Sequence, residues 1–211
     1  MSTPDKSIDP RLIASAKAEF LQHGFLKAEL KTICGNAGIT TGAVYKRYKG
    51  KEALFCAIVQ PTVDALNTFV RSRTETDFSG YSDAALYRAW IVDESYMLEI
   101  FRVLWAQHDG FVLLIGRAAG TRYERFQHDF VSAMSEAYEH FYREARRRGL
   151  AKSDISAAEL HVLCSSFWTS VYEPFLHGMT WTEIEHHCKT VCRFFNWTDA
   201  IMLKEGSEDH V

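Results

Sequence analysis

Apolar residues recur at helical spacing along almost the whole chain. From Arg11 to His23, Leu12, Ile13, Ala16, Phe20 and Leu21 fall on one stripe. Asp9 before Pro10 reads as an N-cap followed by a first-turn proline, and Gly24 reads as the stop. Leu30, Ile33, Cys34 and Ala37 form a second short stripe closed by Gly38. Thr40 opens a third, with Ala43, Val44 and Tyr48, and Gly50 breaks it. Lys51 begins a longer fourth helix through Ala53, Leu54, Ala57, Ile58, Val63 and Leu66. Pro61 inside it predicts a kink, because proline removes a backbone donor. A polar hinge around Gly80 follows, from Thr76 to Ser82. Amphipathic segments then run over Asp83–Gln107, Gly110–Ala118 and Thr121–Arg148, the last closed by Gly149. Ser156 starts another helix that ends near His177-Gly178. Thr182 is expected to cap the last one, which runs to about Leu203 before a polar, fraying tail. Strand alternation is scarce. The pattern predicts an all-α protein of about nine helices, three short ones followed by about six longer ones.

Composition adds little to that picture. The chain has 211 residues, 47% hydrophobic and 24% charged, with 4 Pro and 12 Gly, which argues against disorder, collagen and low-complexity sequence. Charge changes more. The net value of −3 argues, taken whole, against a phosphate-rich partner. Residues 1–60, however, hold nine Lys/Arg against five Asp/Glu, or +4, and the remainder carries −7. Lys46, Arg47, Lys49 and Lys51 crowd into six consecutive positions. That cluster fits either the footprint a phosphate backbone requires or a solvated basic turn.

The N-terminus shows no basic segment followed by an apolar one. In the apolar C-terminal part, the longest run without acidic or basic residues is Leu160–Tyr172, shorter than the ~20 residues that span a bilayer. A cytoplasmic protein with no membrane partner is expected. The five cysteines are scattered and odd in number, which suits reduced thiols.

Two short helices joined by a glycine turn make a helix-turn-helix. Here Leu30–Tyr45 supplies it: Ile33, Ala37, Ile39 and Val44 fix the helices together, and Gly38 allows the sharp turn. The second helix opens on small residues, Thr40, Thr41, Gly42 and Ala43, which let it sink into a major groove. The stretch from about Asp9 to Leu54 resembles the DNA-binding domain of TetR-type (TetR/AcrR) transcriptional regulators. Phe20, Gly24-Phe25, Ile33, Ala37-Gly38-Ile39-Thr40 and the run from Gly42 to Leu54 carry the likeness. In that run an aromatic pair precedes Lys-x-Lys-Glu-x-Leu.

The resemblance implies roles. Thr40, Thr41 and Ala43 would face bases, and Tyr45, Lys46 and Arg47 would meet phosphates or base edges. Lys51 would bind a phosphate at a helix N-terminus. Gly42, Lys31 and Lys49 complete the candidate DNA-contacting set. Tyr48 would be mainly a core ring. Two features depart from the family. Ala28-Glu29 replaces a Ser/Thr pair entering helix two, which weakens its cap by ~1 kcal/mol, and Gly35 inside that helix costs another ~1 kcal/mol.

The resulting domain reading is a helix-turn-helix domain over 1–54 and a helical effector-binding and dimerisation domain over 55–211. A homodimer through the last two helices would present two reading heads to a palindromic operator in double-stranded DNA. Its expected lining is Leu160, Leu163, Cys164, Phe167 and Val171, with Ile184, Cys188, Val191, Phe194 and Phe195. The middle helices are rich in rings, which fits either plain core or a cavity for a small-molecule effector, partly apolar or aromatic. Trp90, Phe126, Phe130 and Trp168 are the ligand candidates. Glu173-Pro174 is either a ligand anchor or a kink at the dimer seam. Cys188 and Cys192 share a helical face but lack the paired spacing of a metal site, so no metal or other cofactor is expected. No Walker loop, nucleophile elbow or H-E-x-x-H occurs, and no enzyme is expected. The alternative reading is a sensor or protein-partner-binding helical protein whose DNA binding is weak or lost.

Overall fold

The computed structural model describes residues 8–74, 77–151 and 154–202. Among them are ten α-helices and no strand. They are α1 (Ile8–Lys27), α2 (Leu30–Ala37), α3 (Thr41–Arg47), α4 (Lys51–Thr74), α5 (Asp83–Arg88), α6 (Glu94–Ala106), α7 (His108–Gly116), α8 (Phe126–Arg147), α9 (Ala157–Leu176) and α10 (Trp181–Phe194). A short 3-10 turn over Phe78–Gly80 and a π turn over Thr198–Met202 complete the list.

The chain forms two compact units. The first holds residues up to Leu66 together with Ala106–Gln127, and the second holds Asn67–Trp105 with the rest from His128. The packing unit around the head therefore takes in most of α4 and all of α7, beyond the 1–54 segment read from the motif.

In the first unit, Gly24 interrupts α1 with φ 70° and ψ 165°, a region open only to glycine. The chain turns there and brings Phe25 back onto Phe20 and Phe55, with ring centroids 5.1–6.1 Å apart. Leu12, Ala16, Ile33, Val44 and Leu54 fill the rest of that core. Gly38 ends α2 in the left-handed region, its N–H bonded to Cys34 and Gly35 carbonyls. Gly110 lets α7 approach α4: a Cβ there would lie 2.7 Å from Thr62 Oγ1. Pro61 sits inside α4, which runs as one helix from Lys51 to Thr74.

In the second unit, the single segment expected over Asp83–Gln107 is two helices. Asp93 causes the break: its carboxylate caps α6 by accepting the Tyr96 N–H at 2.9 Å, while Trp90 turns into the core. The segment expected from Thr121, whose start belongs to the first unit, begins only at Phe126. Thr121 Oγ1 bonds the Ala118 carbonyl and accepts the Tyr123 N–H, a local turn that competes with helix. α10 is capped by Thr180, not Thr182. Both threonines follow an apolar residue and have a glutamate three residues on, but only Thr180 has an apolar side chain, buried Ile184, at the fourth helical position, where Thr182 would have His186. α10 also stops at Phe194 rather than near Leu203, and the end of that expected span lies outside the described residues.

Pro174 is the third-last residue of α9, and its missing N–H leaves the Ser170 carbonyl without its helical donor. His187 of α10 supplies one: Nε2 lies 2.8 Å from that oxygen. The proline thus ties α9 to α10.

Candidate nucleic-acid interface

The helix-turn-helix is locked by side chains that reach distant backbone groups. Ser15 Oγ donates to the Ile33 carbonyl at 2.9 Å, pinning α2 to α1. Glu29, at the N-cap of α2, makes no side-chain cap bond, as its residue type suggested. Buried Glu19 of α1 replaces it: its carboxylate accepts the Glu29 N–H at 3.0 Å. The deficit read from Ala28-Glu29 is therefore offset from another helix. Glu19 stands seven residues from Leu12 and three from Ala16, on the apolar stripe, and an acid in that position was the available signal.

α3 presents its first turn and one side to solvent. Val44 is its buried residue. Thr41, Gly42, Tyr45 and Lys46 are exposed, Tyr45 by 59%. Lys31 on α2 and Lys49 after α3 are exposed as well. Gly42 has open space around it, with only Thr40 Oγ1 within 4 Å of an added Cβ, at 3.8 Å.

Three candidates have structural work in the protein alone. Thr40 is the N-cap of α3, its hydroxyl oxygen accepting the Ala43 N–H at 3.3 Å. Arg47 folds back so that Nη1 donates to the Ala43 carbonyl at 3.3 Å, and both residues are half-buried. Lys51 departs most from its expected role as a phosphate ligand. Its ammonium donates to the carbonyls of Phe25 at 2.7 Å and Ala28 at 2.9 Å, with Leu26 at 3.4 Å, and it lies 4.5 Å from the Phe25 ring centroid. Ammonium has three N–H bonds, and the carbonyls released where α1 ends use them. Tyr48 is half-buried and ends α3, its N–H bonded to Val44.

Behind this face, Arg122 crosses to α4. Its backbone N–H donates to Glu52 Oε1 at 2.9 Å, and Nη2 donates to Gln60 Oε1 at 3.3 Å. Nothing in the local pattern around Arg122 pointed to this contact.

The ligand candidates are not brought into one cluster. In the second unit Phe130 packs on Trp168, centroids 4.4 Å apart. Trp90 instead joins Tyr138, Phe141, Tyr142 and Trp197, stacked on Phe141 at 4.8 Å. Phe130 and Tyr138 are eight residues apart on α8, about 12 Å along the axis. Phe126 belongs to the first unit and packs edge-on to Tyr123. Trp90 and Trp197 bury their indole nitrogens without a hydrogen-bond partner among the described residues.

The stripes expected at a dimer seam mostly face the protomer's own core. Leu160, Cys164, Phe167, Val171, Ile184, Cys188 and Val191 are all buried. Val162 (61% exposed), Leu176 (36%) and Phe194 (81%) are the large apolar side chains of α9 and α10 left outside. Burial pushes the Cys188 thiol up to about 12 and raises Cys192, so both stay protonated and inert. No group of three or more metal-ligating side chains occurs among the described residues. One helix, over Lys51–Arg71, is long and apolar enough by composition to cross a membrane, and half of it is buried.

Residues 12–58 match the family model described as bacterial regulatory proteins, tetR family. That match marks a tetR-type helix-turn-helix segment running from α1 into α4. Solved structures share the tetR fold along nearly the whole chain. SmeT, in complex with triclosan, is 18% identical with a TM-score of 0.60, covering 95% of this chain and 94% of that one. The regulator PfmR of Thermus thermophilus is 13% identical at 0.57, covering 87% and 97%. NalD, secondary repressor of the MexAB-OprM multidrug efflux pump in Pseudomonas aeruginosa, is 18% identical at 0.55, covering 89% and 95%. No curated protein matches by sequence.

Proposed function

We propose that this chain is a cytoplasmic, ligand-responsive repressor of the tetR family that binds a palindromic operator as a homodimer, with α3 in the major groove. The observation that carries the reading is the free face of α3. Thr41, Gly42, Tyr45 and Lys46 stand in solvent while Val44 holds the helix down. Lys31 and Lys49 flank that face and are assigned to backbone phosphates. Thr40, Ala43 and Arg47 shape the helix that carries it, and any contact they make to DNA adds to that task. Lys51 is assigned to holding α1 rather than to phosphate.

The effector reading rests on the second unit. Two buried indole donors without acceptors, those of Trp90 and Trp197, favour a largely apolar ligand carrying an acceptor oxygen. Phe130 and Trp168 are the second candidate wall. That SmeT is found with triclosan supports an aromatic effector for this fold. For the dimer, Val162 of α9 and Phe194 of α10 mark the face that would meet the mate. The reading with lost DNA binding rested partly on a weak cap for α2, and Glu19 removes that support.

Selection from random duplexes at low salt tests the proposal. It should enrich a palindrome, and Tyr45→Ala should bind that palindrome at least tenfold more weakly while melting like the wild type. Failure to enrich any palindrome contradicts the reading. For the effector, a thermal-shift screen of apolar and aromatic compounds should raise the melting temperature for members bearing an acceptor oxygen.

A further inference from the structure

A cleft of about 490 Å³ opens on one face of α4, lined by Lys49, Glu52, Ala53, Cys56, Ala57, Gln60 and Arg122. All seven belong to the first unit. The volume suits a small ligand, but the lining is half polar, unlike an apolar effector cavity. Its hydrogen-bonding groups are unevenly spent. The Glu52 carboxylate already accepts the Arg122 N–H at 2.9 Å. The Gln60 amide oxygen accepts from Arg122 Nη2 at 3.3 Å and from the Tyr123 hydroxyl at 2.7 Å, and its nitrogen donates to Asp64 at 2.8 Å. Burial raises the Cys56 thiol above its ordinary range, so it adds no negative charge. The donors are in surplus. Arg122 has five N–H bonds, of which Nη2 serves Gln60 and Tyr123 and one more meets the Cys56 thiol, leaving two or more for a ligand. Lys49 is exposed and its ammonium has no partner among the described residues. Two cations against one engaged carboxylate leave the cleft with a formal charge of +1.

We propose that this cleft is an oxyanion site, in which Arg122 and Lys49 bind a small carboxylate or phosphate group over Cys56. A guanidinium and an ammonium facing one cleft offer charge-assisted bonds of the kind that hold such groups. The ligand reaches α4 next to the Lys49-Gly50 loop that follows α3. Occupancy thus bears on the base of the reading head, independently of an apolar effector in the other unit. The oxyanion has two possible sources, a free metabolite anion or a phosphate of the bound duplex.

The test uses the full chain without DNA, titrated with inorganic phosphate and with succinate, while sodium chloride holds the ionic strength constant. The expected result is a saturable rise in melting temperature that chloride does not reproduce. Lys49→Gln and Arg122→Gln should each weaken the apparent affinity at least tenfold. Arg122 also braces α4, so Lys49→Gln carries the test if Arg122→Gln fails to fold. A response matched by chloride, or one left at wild-type affinity by Lys49→Gln, overturns the proposal. A second arm adds the operator duplex. Competition between phosphate and duplex that Lys49→Gln abolishes identifies the site as one for a backbone phosphate. Independent binding identifies a free anion. Because the first arm contains no DNA, its failure is distinguishable from failure of the repressor reading.

Discussion

The two units of this molecule are held in different ways. In the first, a few polar side chains reach across the sequence to backbone groups: Lys51 to the end of α1, Glu19 to the start of α2, Ser15 to the Ile33 carbonyl. In the second, rings meet rings, as Trp90 does with Phe141, Tyr138 and Trp197, and Phe130 with Trp168. The second unit has polar clamps as well, among them His187 on the Ser170 carbonyl and the larger one at Arg148. Arg148 donates to the carbonyls of Phe78, Ser79 and Tyr81 and pairs with Asp83 and Glu144. The difference suits the division of work proposed for the two units. A reading head must hold a short helix at a fixed angle with one face bare, and backbone clamps do that without covering the face. The proposed effector site needs an apolar lining, which rings of the kind packed in the second unit can supply.

The contrast can be broken by substitution, starting with the largest effect. Trp90→Ala removes a fully buried ring from the second unit and should cost about 3–5 kcal/mol in urea unfolding. A cost below about 1 kcal/mol would mean that the ring cluster does not hold the unit. Lys51→Met keeps the aliphatic stem but removes the ammonium from two short carbonyl bonds, and should cost about 1.5–3 kcal/mol. Faster amide exchange near Phe25–Ala28 would place the damage at the clamp. Glu19→Ala strips the substitute cap from α2 and should cost about 1–2 kcal/mol, read by the same unfolding curve. Gly42→Ala should go the other way, stabilising α3 by up to about 1 kcal/mol, since nothing obstructs the new methyl. The same substitution should weaken operator binding if that face enters the groove.

The smallest effect concerns acid. Arg147 and Arg148 hold the Glu144 carboxyl down, from 4.5 to about 2. A depressed carboxyl stabilises the folded state above its unfolded value and loses that contribution as the pH falls from about 4.5 toward 2. Glu144→Gln should therefore flatten the acid limb of a stability curve between those values. An unchanged limb would show the pair contributes nothing there.

The head was legible because its signals are local. Gly24, Gly38 and Gly50 mark three chain reversals, Thr40 marks the start of α3, and the run from Gly42 to Leu54 fixes the type. What local pattern could not supply was partnership across distance. Lys51 reads as a cation at a helix start, and only the fold shows the α1 carbonyls beside it. The rings of the body were legible as rings, but their grouping was not. Phe126, Phe130 and Trp90 are equally aromatic in sequence, and helix phase and the start of α8 sort them into different clusters. Most of the expected dimer stripe lies inside the protomer for a related reason. Periodicity finds the most apolar face of α9, and that face is claimed by the protomer's own core.

The measurement that bears most directly on the central claim is the salt dependence of operator binding by fluorescence anisotropy, for the wild type, Lys46→Ala and Lys51→Met. If the exposed face of α3 meets DNA while Lys51 serves the fold, Lys46→Ala should lower the slope of log affinity against log salt by about one. Lys51→Met, at a temperature where it is folded, should keep the wild-type slope. A slope unchanged by Lys46→Ala and lowered by Lys51→Met would contradict the account.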